Sequence, residues 1–303
     1  ANYNEASVTV ELPVNRYDLT LTWGEDTFVY DRTNKEVTAT ITKLYNDDVY
    51  LSYEENNKVG VAKYVAVAKL EGSDKDNYNI ASNGSFDWEI VQSPATLEIT
   101  NDLNKVYDRK PTVDVEYSYS GNGQITITYV GIDNEYNSTS TPTLAGSYKV
   151  IVSAAETVEY AAVEVEKEFI ISKATQTIFT ENVELVYTYN GELQTVNSGA
   201  YVLDNEQTVD YINNTFKTVA EGNKKVVTIK VSETANYNEA SVTVELTVNR
   251  YDLTLTWGES TFVYDRTNKE VSATFTKLYN DDVYLSYEEN NKVGVGKYVA
   301  VAK

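Results

Sequence analysis

The chain has no Cys, no His and no Met among its 303 residues, and only 4 Pro and 14 Gly. Without cysteine there are neither disulfides nor thiolate metal sites, so folding rests on packing and backbone pairing. Without histidine the commonest general base and the commonest zinc ligand are missing. Sparse Pro and Gly, set against 26 Tyr and 42% hydrophobic residues, exclude collagen-like and disordered classes. Positive charge is scarce as well: 25 Lys and Arg face 46 Asp and Glu, a formal net charge of −21. Nucleic acid requires a concentrated basic surplus, and anionic membrane surfaces are disfavoured for the same reason. No apolar run approaches the roughly 18 residues of a membrane helix, and no basic-then-apolar segment reads as a signal peptide. The composition is compatible with an oxidising extracellular setting.

What the chain does have is repetition. The stretch ANYNEASVTVEL at residue 1 returns unchanged at residue 235, and 1–69 matches 235–303 with five differences: Pro13/Thr247, Asp26/Ser260, Thr38/Ser272, Ile41/Phe275 and Ala62/Gly296. Such a period is settled before any motif, because it dictates the architecture. Inside it a weaker pattern recurs three times, as FVYDRTNKEVTATIT from Phe28, KVYDRKPTVDVEYS from Lys105 and LVYTYNGELQTV from Leu185. Each is followed by a β-rich run, from Val59, Ala145 or Glu221, and then by a Tyr in DNYNI, VEYAAV or ANYNEA.

Apolar and polar residues alternate with a period of two, the pattern of half-buried strands. Val8, Val10 and Leu12 do so, as do Leu19, Leu21 and Trp23; Val49, Leu51 and Tyr53; Val113, Val115 and Tyr117; and Ile125, Ile127 and Tyr129. Turn signals such as NDD, ENN, SNGS and YNGE separate them. Six or seven short strands per repeat of about 78 residues predict a small Ig-like β-sandwich. The expected organisation is a closing strand of a preceding unit over 1–16, complete units A over 17–94, B over 95–174 and C over 175–250, and an incomplete second copy of A over 251–303. The predicted class is therefore all-β: tandem Ig-like sandwiches arranged as an extended rod, lengthening by roughly 35 Å per unit, read as a window cut from a longer array. Trp23, Trp88 and Trp257 are expected in cores or at sheet edges. Pro13 removes a backbone donor, so its position is expected at an edge or a junction, and Ile41/Phe275 requires slack or repacking.

At VYDRTNKEV and KVGVAKYVAVAKLEGSDKDNYNI the sequence resembles the MBG ("mostly bacterial Ig-like") repeats of bacterial surface proteins. Arg32, Arg109 and Arg266 stand where that family's Tyr-Asp-Gly-Thr-like turn has Gly. The resemblance implies tandem β-sandwich stalks of extracellular, cell-surface adhesins, and carries no catalytic residue across.

Candidate chemistry is thin. Adjacent carboxylates at Asp47 and Asp48, Glu54 and Glu55, Asp281 and Asp282, and Glu288 and Glu289 read as solvated turns, since a glycosidase pair must face across a cleft. Asp74 and Asp76 are spaced like calcium ligands, but Lys75 intervenes and no calcium-loop Gly follows. Lys–Asn crosslinks, surface-Tyr carbohydrate contacts and glycosylation at the sequons Asn83, Asn137 and Asn213 complete the alternatives. The reading is a non-enzymatic stalk or spacer with no catalytic, cofactor or metal residues, whose partners are the neighbouring Ig-like units. Lateral or end-to-end copies forming a filament, and a glycan- or protein-binding module, are the alternatives.

Overall fold

The computed structural model describes residues 2–217 and 223–303, which form two compact units. The first comprises Ala1–Lys105, Pro111–Pro142 and Gly146–Ile170, the second Val106–Lys110, Thr143–Ala145 and Ile171–Lys303. Among the described residues the regular elements are strands, with a 3-10 turn at Lys75–Asn77. No described helix is long and apolar enough to cross a membrane.

In the first unit the alternation builds two facing sheets. Tyr17–Trp23 buries Leu19 and Leu21 and lies between Ala39–Ile41 and Tyr78–Ser82. The chain then crosses to the opposite sheet, where Thr27–Val29 runs parallel to Ser85–Val91. That sheet continues through Ala62–Glu71 to Tyr50–Glu54. The core has two clusters: Leu19, Val49 and Tyr78, and Val37, Ala66, Trp88 and Ile90. Further along the chain the sheet order is Lys105–Val106, Val163–Ser172, Gly146–Ala154, Ile125–Gly131 and Asn137–Ser138. Gly146–Ala154 buries every second side chain, Tyr148, Val150, Val152 and Ala154. Phe169 stacks on Tyr148 and receives Tyr129 edge-on.

In the second unit the order is Val186–Thr188, Ala240–Asn249, Lys224–Val231 and Val209–Ile212, over a core of Val183, Val196, Phe216, Val227, Ile229, Leu246 and Val248. All three repeats therefore share one topology. A short crossing strand flanks the closing strand, and two antiparallel strands follow, the arrangement of an Ig-like sandwich without its disulfide. Much of the Tyr content serves this plan. The Tyr53 hydroxyl bonds the backbone N–H and C=O of Ala39, Tyr287 does the same at Ala273, and the hydroxyls of Tyr129 and Tyr211 accept from the N–H groups of Val115 and Ala200. A phenol thus satisfies backbone that lacks a strand partner, which burial makes necessary.

The structure departs from the expectations in four places. Repeat A is cut into nine short strands rather than six or seven. The strand expected over Val113 to Tyr117 is Tyr117–Tyr119, with Val113 exposed. Residues 2–16 form no strand, and Val8, Val10, Leu12 and Val14 are exposed, although the same text with Thr in place of Pro13 forms Ala240–Asn249. Trp257, by contrast, stands at a sheet edge as expected, in the two-stranded pair of Thr256–Trp257 with Ala273–Thr274, and is 42% exposed. Finally, Thr247, the counterpart of Pro13, lies in a central strand and donates its N–H to Leu185 O at 2.8 Å. The position is not an edge there; proline is accommodated only at residue 13, where no such bond forms. The start of the third β-rich run, Glu221 and Gly222, lies outside the described residues.

Candidate functional site

The recurring text converges on one recurring contact. Each repeat has a tight turn after its crossing strand: Tyr30-Asp31-Arg32, Tyr107-Asp108-Arg109, Tyr189-Asn190-Gly191 and, in the second copy of A, Tyr264-Asp265-Arg266. In each, the second residue's side-chain oxygen accepts the N–H two residues on, from Thr33, Lys110, Glu192 and Thr267. The third residue is left-handed, with φ of 67°, 67°, 81° and 64°. This is the backbone region glycine adopts without steric cost, and three of the four positions hold it with Arg. The third repeat's match shifts by two residues, from Tyr187 to Tyr189. The N–H of Tyr30, Tyr107 and Tyr189 donates to Val91, Ser172 and Asn249 respectively, which sets their equivalence.

The other half of the contact is the Tyr shared by DNYNI, VEYAAV and ANYNEA. Where the chain passes into each repeat, a junction residue pairs in parallel with it: Tyr17 with Tyr78, Ser93 with Tyr160, Ala174 with Tyr237. At the latter two, Ala161 N–H donates to Ser93 O and Asn238 N–H to Ala174 O. Thr157 and Thr234 hold the two tyrosines identically, each donating its N–H to the Tyr carbonyl and accepting the Tyr N–H on its hydroxyl.

Turn and tyrosine meet edge to face. In the first unit, Tyr30 packs on Tyr160 with centroids 5.9 Å apart at 88°, and the Arg32 guanidinium stands 5.9 Å from the Tyr160 ring centroid. In the second unit, Tyr107 packs on Tyr237 at 5.4 Å and 86°. There the contact is elaborated into a polar network. Arg109 forms an ion pair with Asp204, which also accepts the Tyr237 hydroxyl. The Tyr107 hydroxyl donates to Glu206 at 3.2 Å, Asn236 Nδ2 donates to the same carboxylate at 3.1 Å, and Ala145 N–H donates to Asn236 Oδ1. Asp204 and Asn236 are buried, so these partners compensate their desolvation. The Tyr237 hydroxyl and the Arg109 guanidinium hold the Asp204 carboxyl below its ordinary range. Burial and the bond to Asp204 push the Tyr237 phenol up to about 12. A third version joins Tyr189 to Asp281, whose two oxygens accept its hydroxyl at 2.9 Å.

The paired carboxylates find roles in holding loops. Asp47 accepts the Tyr78 hydroxyl at 2.5 Å, and that bond, with burial, raises the phenol to about 12. Asp48 accepts the Ser73 N–H and hydroxyl at 3.0 Å, and Asp74 accepts the Asp48 N–H. Gly72 makes this closure possible: at φ 113°, an added Cβ would lie 2.1 Å from Asp48 O. Glu54, Glu55, Glu288 and Glu289 pair with Lys69, Lys58, Lys303 and Lys292. Among the described residues no three His, Cys, Asp or Glu are grouped to hold a metal, and no Lys is buried. Trp88 lies in the core, Trp23 stacks on Phe86 at 4.8 Å, and Asn83 is committed to the backbone of Leu21. Sequence reasoning marked the turns and the tyrosines but missed Asp204, Glu206 and Asn236. Asn236 stands in the repeated ANYNEA text, but Asp204 and Glu206 lie in no shared text.

No family model and no curated protein matches the chain. Solved structures that resemble it include the four N-terminal Ig domains of Dscam1 isoform 9.44 (8% identity, 77% of this chain and 73% of that one, TM-score 0.28). Others are Drosophila N-cadherin EC1-4 (12%, 79% and 76%, 0.25) and titin domains I67-I69 (11%, 78% and 97%, 0.31). Likenesses this faint say nothing of function. By its own strands, the chain is an all-β protein of tandem Ig-like sandwiches.

Proposed function

We propose that this chain is a non-enzymatic structural segment: a stiff spacer of tandem sandwiches in an extracellular, bacterial cell-surface protein, projecting an adhesive or interaction region. The observation that supports the reading is the repeated junction. Tyr17, Ser93 and Ala174 each pair with the tyrosine of the repeat they lead into, and the turns at Tyr30 and Tyr107 dock on Tyr160 and Tyr237. Connections without a flexible Gly/Ser linker, each tied by backbone bonds and an aromatic pair, restrict bending between small cores. Stability then accumulates from repeats and nearest-neighbour contacts. Asp47, Asp48, Asp74 and Asp281 hold loops and Glu54, Glu55, Glu288 and Glu289 pair with Lys, duties that fit a structural segment.

Nuclear spin relaxation on the full chain tests this. Repeats A, B and C share one long rotational correlation time if the junctions are stiff, and Tyr160→Ala with Tyr237→Ala shortens the local times. Independent tumbling of the repeats in the unaltered chain refutes the proposal. A glycan array separates the adhesin reading, which requires saturable binding.

A further inference from the structure

In repeats A and C the segment by which the chain enters is joined twice, and in parallel, to the segment by which it leaves. In A, Tyr17, Asp18 and Leu19 pair with Tyr78, Asn79 and Ile80, and Thr27–Val29 then pairs with Glu89, Ile90 and Val91. In C, Ala174 bridges to Tyr237, and Val186–Thr188 then pairs with Thr247, Val248 and Asn249. Other ladders of A are antiparallel, as in Tyr50–Glu54 with Ala62–Glu71 and Ala62–Glu71 with Ser85–Val91. Direction matters when the chain is pulled. Tension draws an entering strand toward its N-terminus and a leaving strand toward its C-terminus, so two such strands in parallel are driven past each other along their length. Their slanted, evenly spaced bonds then stretch together, whereas an antiparallel hairpin pulled from its open end loses its bonds singly.

We infer that repeats A and C bear tension along the chain, each locked by the parallel pairing of its short crossing strand with its last strand. The source of the load rests on the spacer reading, but the lock is a property of each repeat. Equivalent bonds close it in both. In A, Glu89 N–H donates to Asp26 O at 2.8 Å and Tyr30 N–H to Val91 O at 3.0 Å. In C, Thr247 N–H donates to Leu185 O at 2.8 Å and Tyr189 N–H to Asn249 O at 2.9 Å. An aromatic ring also pins each crossing strand. Phe28 meets Trp88 edge-on at 5.9 Å within one core, and Tyr187 meets Phe216 at 5.1 Å within the other. A slip of one residue would turn each ring to the opposite face. Both locks end at the last residue of the leaving strand, Val91 or Asn249, so load meets them before it spreads along that strand.

The test is single-molecule force spectroscopy on the full chain. It has no native cysteine, so introduced pairs alone take the handles. Asn182→Cys with Arg250→Cys loads the lock of C in shear, and Lys224→Cys with Arg250→Cys peels Lys224–Val231 from Ala240–Asn249 in the same fold. Glu25→Cys with Pro94→Cys, and Lys63→Cys with Pro94→Cys, make the same comparison in A. Rupture reports the unfolding barrier rather than the equilibrium stability, which the two tethers share. Because two bonds of the lock stretch together, the shear tether should rupture at about twice the force of the peeling tether or more. Thr247→Pro deletes one of those bonds and should lower the shear force of C by about half while its peeling force stays unchanged. Equal forces in the two directions, or an equal proportional loss in both on Thr247→Pro, overturns the inference. If Thr247→Pro keeps C from folding, the directional comparison in the unaltered strands decides. Independent tumbling of the repeats with direction dependence intact removes the spacer reading and keeps the lock; a stiff chain that ruptures equally in both directions does the reverse.

Discussion

The strand text YDLTLTW occurs twice, and its first leucine has two environments: Leu19 is 1% exposed and Leu253 37%. Replacing each by Ala, in separate full-length chains, isolates what tertiary closure contributes. Leu19 packs with Val49 and Tyr78, and Ile41 and Leu70 close the cluster, so its loss removes the transfer free energy and leaves a cavity that a two-sheet core cannot collapse. Together these cost about 3 kcal/mol, or about 12 to 24 °C in the melting temperature of a repeat that unfolds alone. Leu253 retains part of the transfer contribution, but an open edge relaxes, and the expected cost is about 1 kcal/mol. Because a chain of several repeats is not two-state, the assay is native-state amide exchange, read at 17–23 in one variant and 251–257 in the other. Exchange at the first site should accelerate roughly a hundredfold, that at the second by no more than about tenfold. Equal acceleration would refute the claim that packing against Val49, Tyr78, Ile41 and Leu70 is what buries this leucine.

Thr247→Pro deletes the N–H donated to Leu185 O inside a central strand and should destabilise the third repeat by about 3 kcal/mol, whereas Pro13→Thr leaves the melting profile unchanged; calorimetry distinguishes them. Arg32→Gly relieves the left-handed backbone and should hold or raise the melting temperature, while Arg109→Gly lowers it by stripping the buried Asp204 of its cation; equal shifts in the two variants would undo the distinction between the junctions. For Tyr237, the phenol's rise to about 12 from an ordinary 10 means its contribution is fully present below pH 10 and is lost as pH rises through 12. Tyr237→Phe should therefore flatten the alkaline limb of third-repeat stability, followed by exchange at 224–231, and lower its neutral-pH value by about 1.5 to 3 kcal/mol.

Some of this architecture is legible residue by residue. Alternation in Gly146–Ala154 places Tyr148, Val150, Val152 and Ala154 on one face, and the pleat makes burial follow. The Tyr-Asp-Arg text locates three of the four turns but not their partners. Asp204 and Asn236 belong to loops that no local pattern connects to Arg109, since an ion pair across nearly a hundred residues depends on how strands stack. The two-residue shift in the third repeat has the same origin: Val186-Tyr187 mimics the motif locally, yet the bond from Tyr189 N–H to Asn249 O sets the register.

The duplicated segment draws the boundary most sharply. By itself the shared text ANYNEASVTVEL determines an alternating, strand-competent face, and 1–69 against 235–303 determines that the repeats share a plan. Whether that face becomes a strand is decided by neighbours. At Ala240–Asn249 it has Lys224–Val231 on one side and Val186–Thr188 on the other, and Leu246 and Val248 are buried. Over residues 2–16 it has neither, and its valines are exposed. A strand's hydrogen bonds and its apolar face are both satisfied only by other strands, so side-chain order is local information while burial is not.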